Sequence, residues 1–144
     1  MFEYAPAPEA RNLVNFADSY GHFIGGEFTK RSRRRYETIS PSSEEVLAVV
    51  SRGTDKDVDQ AVKAARKAYQ QTWSRLPGSV RAKYLYRIAR IIQERSRELA
   101  VAETLNNGKP IRESRDVDLP LVAAWFFYYA GWADKLDYAG LGSN

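Results

Sequence analysis

The order of signals along the chain predicts an α+β module, with strands and turns over the first fifty residues and three or four helices after them. Two observations carry this. Short apolar or β-branched runs broken by Gly-Gly and Pro-Ser-Ser precede residue 51, whereas beyond Thr54 apolar positions recur at intervals of three and four. A length of 144 residues suits one domain, and 44% hydrophobic with 28% charged residues excludes a disordered or collagen-like chain. The absence of cysteine removes disulfides, thiolate metal sites and any cysteine nucleophile within these residues.

Residues 1–21 read as an extended arm, with Pro6 and Pro8 and neither a basic start nor a continuous apolar run, so no secretory signal is expected. In Phe23-Ile24-Gly25-Gly26-Glu27-Phe28 the glycine pair can take the positive φ of a tight turn, which predicts a β-hairpin. Tyr36–Ser40 and Val46–Val50 read as two further strands on either side of Pro41-Ser42-Ser43. Thr54 with Asp57 forms a capping-box pattern, and Val58, Ala61, Val62, Ala65, Ala68 and Tyr69 mark one face of a helix. Leu76-Pro77-Gly78-Ser79 interrupts. A second helix, bent near Ser96, carries Leu85, Ile88, Ile91, Ile92 and Leu99 on one stripe and ends at Asn107-Gly108. Gly108 is placed as a left-handed cap, Pro110 fits the first turn of the next helix, and Pro120 must start or kink another. From Leu121 to Tyr138 the pattern is apolar nearly all round, which requires cover on most sides; residues 139–144 form a glycine-rich tail. The most apolar stretch, Leu119 to Ala133, lies between Asp118 and Asp134 and is shorter than the roughly 20 residues of a membrane span, so a cytoplasmic protein is expected.

The net charge of +4 comes from 22 basic and 18 acidic side chains, and Lys30, Arg31, Arg33, Arg34 and Arg35 supply five of the positives within six positions. Without these five, 17 basic residues face 18 acidic ones, leaving −1. The charge is a local knot between two predicted strands. A solvated turn is favoured over nucleic-acid binding there, because no aromatic interleaving or nucleic-acid fold signature accompanies it. His22, the single histidine, lacks a recognisable nucleophile partner, and Asp116 and Asp118, two apart, point to different faces of a helix and read as surface or capping charges. No glycine-rich phosphate loop followed by a helix is present. Composition and spacing alone leave the activity open.

Taken together and in order, several segments resemble the opening of the aldehyde dehydrogenase superfamily. They are Phe23–Phe28, Thr38-Ile39-Ser40-Pro41, the Asp57–Arg66 run, Trp73 with Arg81, Glu103-Thr104-Leu105-Asn106-Asn107-Gly108-Lys109-Pro110 and Tyr128-Tyr129-Ala130-Gly131-Trp132-Ala133-Asp134-Lys135. The resemblance covers roughly Phe23 to Lys135. It implies an α/β fold, in which residues 22–138 are a partial cofactor domain whose helices pack on a parallel sheet contributed mostly by later sequence.

The implied chemistry is oxidation of an aldehyde to a carboxylic acid with NAD or NADP, through a cysteine thiolate, hydride transfer and a glutamate-activated water. These 144 residues contain neither that cysteine nor the family's cofactor motifs, so the expectation is an N-terminal segment with no catalytic and no cofactor-binding residue, inactive alone. The expected partner is the remainder of the polypeptide, or a complementing chain if the enzyme is split, and the expected assembly is a homo-oligomer. The resemblance also implies a monovalent-cation site at Thr38, Ile39 and Asn106, where Asn106 stands in place of the usual aspartate and removes one negative charge. Val117 and Leu121 match positions at the mouth of the aldehyde tunnel. The reading from the residues that competes with all this is a non-enzymatic interaction module using the Trp125 to Trp132 surface.

Overall fold

The computed structural model describes residues 11–136, 138 and 139, and the outer parts of the predicted arm and tail lie outside them. The described chain forms two compact units, one spanning Phe16–Leu76, the other joining residues 11–15 to the chain from Pro77 onward.

In the first unit, β1 (Ser19–Tyr20), β4 (Arg35–Ile39) and β5 (Val46–Ser51) form a three-stranded sheet in the order β1-β5-β4. The apolar run Val46–Val50 takes the centre, since a central strand is covered on both edges and β-branched residues fit that surface. Ser19 lies opposite Val49 in parallel register, and Tyr36 lies opposite Val50 in antiparallel register. The part of the arm next to the hairpin is therefore already in the sheet. Register slips between Thr38 and Ile39, where the strand turns into a tight connection. There the buried Ser40 donates its N–H to the Glu45 carbonyl at 2.9 Å and accepts from the Glu44 N–H at 2.8 Å, and Glu44 holds φ at 58°.

The predicted hairpin forms from β2 (Phe23–Ile24) and β3 (Glu27–Phe28), with Gly25 and Gly26 at φ 67° and 93° as a two-residue turn of that hand requires. α1 (Asp55–Gln71) starts at the predicted capping box: Asp57 N–H donates to Thr54 Oγ1 at 3.4 Å, and Thr54 N–H donates to Asp57 Oδ2 at 2.8 Å. The predicted core face of this helix, however, is not buried in the described chain. Val58, Val62 and Tyr69 are each more than half exposed, because the four-residue hairpin ladder covers only the helix surface around Ala64. Replacing Thr54 by Ala is expected to cost about 1 kcal/mol through fraying of α1. Thr54→Ser should restore most of it, as urea unfolding followed by circular dichroism would show.

In the second unit, α2 (Gly78–Glu94), α3 (Ser96–Asn107), α4 (Ile111–Glu113) and α5 (Leu119–Trp132) follow one another. The second helix, expected after the Leu76–Ser79 interruption with a bend near Ser96 and an end at Asn107, is two helices, and the first of them already begins at Gly78. Arg95 leaves helical geometry at φ −104° and ψ 17°, and its guanidinium grips the Glu98 carboxylate with contacts of 2.6 and 2.9 Å across the first turn of α3. Gly108 caps α3 at φ 83°, its N–H donating to the Thr104 carbonyl at 2.9 Å. Pro110 stands just ahead of α4 rather than within its first turn.

A wide π turn, Ser114–Asp118, joins α4 to α5 directly before Pro120. Proline cannot donate to the carbonyl four residues back, here Asp116, and that carbonyl falls inside the wider turn. Buried Ser114 anchors this turn by accepting from the Thr104 hydroxyl at 3.1 Å.

α2 and α5 run antiparallel, since Gly78 at the start of one meets Ala133 at the end of the other and the Tyr86 and Phe127 rings lie 6.0 Å apart. This register sets Ala82 level with Ala130 and Ala89 level with Ala123, all four buried. Alanines seven apart on each helix make a narrow seam that lets the backbones approach closely. Of the predicted Ile and Leu stripe, Leu85, Ile92 and Leu99 are half-buried beside this seam, whereas Ile88 and Ile91 remain 40% and 39% exposed. The final helix is apolar on more sides than the seam can cover, as predicted, and leaves Trp125, Tyr128, Tyr129 and Trp132 exposed.

Candidate functional site

The helical unit carries a groove of about 650 Å³ at the start of α5. Ile92, Leu99, Leu119, Leu121, Val122 and Trp125 form its apolar walls, and Glu103, Lys109 and Asp118 its polar end. Lys109 Nζ donates to Asp118 Oδ2 at 2.5 Å, with each side chain about one-third exposed. That hydrogen bond, more than any other influence, raises the lysine pKa above its ordinary value, outweighing partial desolvation, so Lys109 stays charged. The pair ties the segment after α3 to the end of the π turn and holds the groove's polar rim in place. Nine residues separate the two partners, a spacing no helical pattern reveals, so sequence reasoning had no signal for it.

Of the two predicted tunnel residues, Leu121 lines this groove whereas Val117, on the π turn, does not. Both are more than half exposed. Thr38 and Ile39 end β4 in one unit, and Asn106 lies in the last turn of α3 in the other. Asp116 pairs with its neighbour Arg115 through contacts of 2.6 and 2.8 Å, which lowers its pKa, while Asp118 faces Lys109; the two carboxylates serve separate ion pairs. His22 Nε2 lies 3.8 Å from Asp57 Oδ2, which accepts from the Thr54 hydroxyl at 2.7 Å, and is buried without a hydrogen-bond partner.

Helix N-termini are the usual phosphate cradles of a dinucleotide site. At α1 that position already holds the Asp57 carboxylate, and at α2 the Ala133 carbonyl would lie 2.3 Å from any Cβ on Gly78. Among the described residues the arrangement offers apolar walls, a fixed ion pair and exposed aromatic surface within an α/β fold.

The model of the aldehyde dehydrogenase family matches residues 28–143, and the chain belongs to that family, as its N-terminal portion. It is 45% identical over 121 residues to aldehyde dehydrogenase 1 of Tanacetum cinerariifolium, covering 83% of this chain and 24% of the relative. It is 46% identical over 116 residues to the mitochondrial aldehyde dehydrogenase of Rattus norvegicus, covering 78% and 22%. Among solved structures, the Bacillus cereus aldehyde dehydrogenase in complex with NAD+ superposes with a TM-score of 0.77 at 37% identity, covering 89% of this chain and 26% of that one. The NAD-dependent aldehyde dehydrogenase of Sinorhizobium meliloti gives 0.79 at 30% identity, covering 92% and 27%. The chain therefore spans about a quarter of the length of the relatives it matches. No helix among the described residues is long and apolar enough to cross a membrane.

Proposed function

We propose that this chain supplies the N-terminal quarter of an enzyme that oxidises aldehydes to carboxylic acids with a nicotinamide cofactor. The observation that carries this is the family match over residues 28–143. The cofactor would accept a hydride from the substrate. With no cysteine among these residues, the nucleophile, and the cofactor site beside it, belong to the other three quarters of the fold. The part played by these residues is to shape and support. The exposed Trp125, Tyr128, Tyr129 and Trp132 offer a surface for the remainder of the enzyme, and Val117 and Leu121 narrow the approach of substrate.

A chimera tests this. Residues 28–135 should replace the matching segment of the Bacillus cereus enzyme with retention of NAD-dependent aldehyde oxidation, while the 144-residue chain alone should form no NADH. A folded chimera that binds NAD yet oxidises no aldehyde, or turnover by the purified chain alone, would overturn the proposal. In an active chimera, Leu121→Trp is expected to raise KM for bulky aldehydes several-fold and leave kcat for a small aldehyde within about twofold, because a tunnel-mouth residue acts on entry rather than on the transition state.

A further inference from the structure

The basic knot, which runs from the connection after β3 into the first residue of β4, has no use in that reading. Lys30, Arg31, Arg33, Arg34 and Arg35 are all exposed, and none of them takes part in an ion pair among the described residues. The backbone beneath them is nevertheless held. Ser32 N–H donates to Ser51 Oγ at 3.0 Å, Arg34 N–H to Ser32 Oγ at 3.1 Å, and Arg52 N–H to the Arg34 carbonyl at 2.8 Å, which adds a sixth cation beside the five. A fixed segment that gathers like charges without neutralising them carries a repulsion that an anion would relieve.

The structure adds what the sequence pattern did not show. Phe28, two residues before the knot, and Tyr36, immediately after it, are 66% and 55% exposed, and Phe23 packs edge-on to Phe28 at 5.0 Å. Cations bracketed by exposed aromatic faces are the combination that binds single-stranded nucleic acid, phosphates to the guanidinium groups and bases to the rings. Exposed Glu27 and Glu37 sit beside Phe28 and Tyr36. Pressed on an anionic lipid plane these carboxylates would be repelled, whereas a flexible strand can pass between them.

We propose that the segment Lys30–Arg35, flanked by Phe28 and Tyr36, is a binding surface for single-stranded RNA or DNA, independent of aldehyde chemistry. Fluorescence anisotropy with labelled oligouridylate of twenty nucleotides tests it on the 144-residue chain. Binding should weaken steeply with salt, with a log–log slope approaching about −3 if most of the five cations meet phosphates. Changing all five to Ser should abolish binding with the circular dichroism spectrum unchanged. Phe28→Ala with Tyr36→Ala should weaken binding at least about fivefold and keep the salt slope, since stacking is lost and phosphate contact is not. No binding at 50 mM salt, aromatic variants that bind like the parent, or binding to phosphatidylserine vesicles without binding to the oligonucleotide would each overturn the proposal.

Discussion

Gly78→Ala is expected to destabilise the helical unit by about 2–3 kcal/mol, the range of a forced overpacking. For a chain of this size that is a fall of roughly 6–12 °C in the unfolding midpoint. The sign is the informative part. In an exposed helix interior alanine is more favourable than glycine by about 1 kcal/mol. At Gly78 an added Cβ would stand 2.3 Å from the Ala133 carbonyl oxygen and 2.9 Å from the Asp134 Cα. Both are backbone atoms, so no side-chain rotation relieves the contact and the two helices must separate. Ser79→Ala, one residue on and exposed, should change stability by less than about 0.5 kcal/mol. Thermal unfolding of both variants decides the matter, and a Gly78→Ala protein as stable as the parent would mean that the ends of α2 and α5 do not meet as described.

The second large effect belongs to the alanine seam. Ala89→Leu is expected to cost about 3 kcal/mol, because Ala89 is fully buried level with Ala123 and three added carbons force the backbones apart. Ile88→Ala, next to it, should cost about 1 kcal/mol or less, since that side chain is 40% exposed and its removal takes little apolar area from the core. Hydrophobicity alone predicts the reverse order. Denaturant midpoints of the two variants discriminate, and a larger loss for Ile88→Ala would return the main contact to the Ile and Leu stripe.

Acid should act on the other unit. Hydrogen bonds from the Thr54 side chain and then its backbone, followed by attraction to His22 and Lys56, hold the Asp57 carboxyl below its ordinary value. A lowered folded pKa contributes stability that is fully present above the ordinary aspartate range and disappears as pH falls through the folded value. α1 is therefore expected to lose helicity at the acid end, and Thr54→Ala, which removes the side-chain hydrogen bond first in that list of causes, should flatten the dependence between about pH 5 and pH 2.

Much of the local structure was legible because its causes are local. The capping box at Thr54 and Asp57, the positive φ of Gly25, Gly26 and Gly108, and the strand character of Val46–Val50 each follow from a few adjacent residues, and all form where expected. The full break at Arg95 is not legible, because nothing in its composition forbids a helix; it shows in the Arg95 backbone and the Arg95–Glu98 pair. The groove was legible only through Leu121, by family resemblance. Its other walls come from three separate stretches of chain, and the Lys109–Asp118 pair joins residues that no periodicity relates.

The sequence by itself determined the family, the order of strands and helices, and the lack of a cysteine nucleophile in these residues, since each is a matter of residue identity and short-range pattern. Only the tertiary structure decided which surfaces meet. It put small alanines at the centre of the α2–α5 contact and left Ile88 and Ile91 outside it, left the apolar face of α1 open, and exposed two aromatic rings beside the basic segment. Burial is a property of distance between remote segments, and a helix apolar on several sides does not state in its own sequence which side its neighbour will cover.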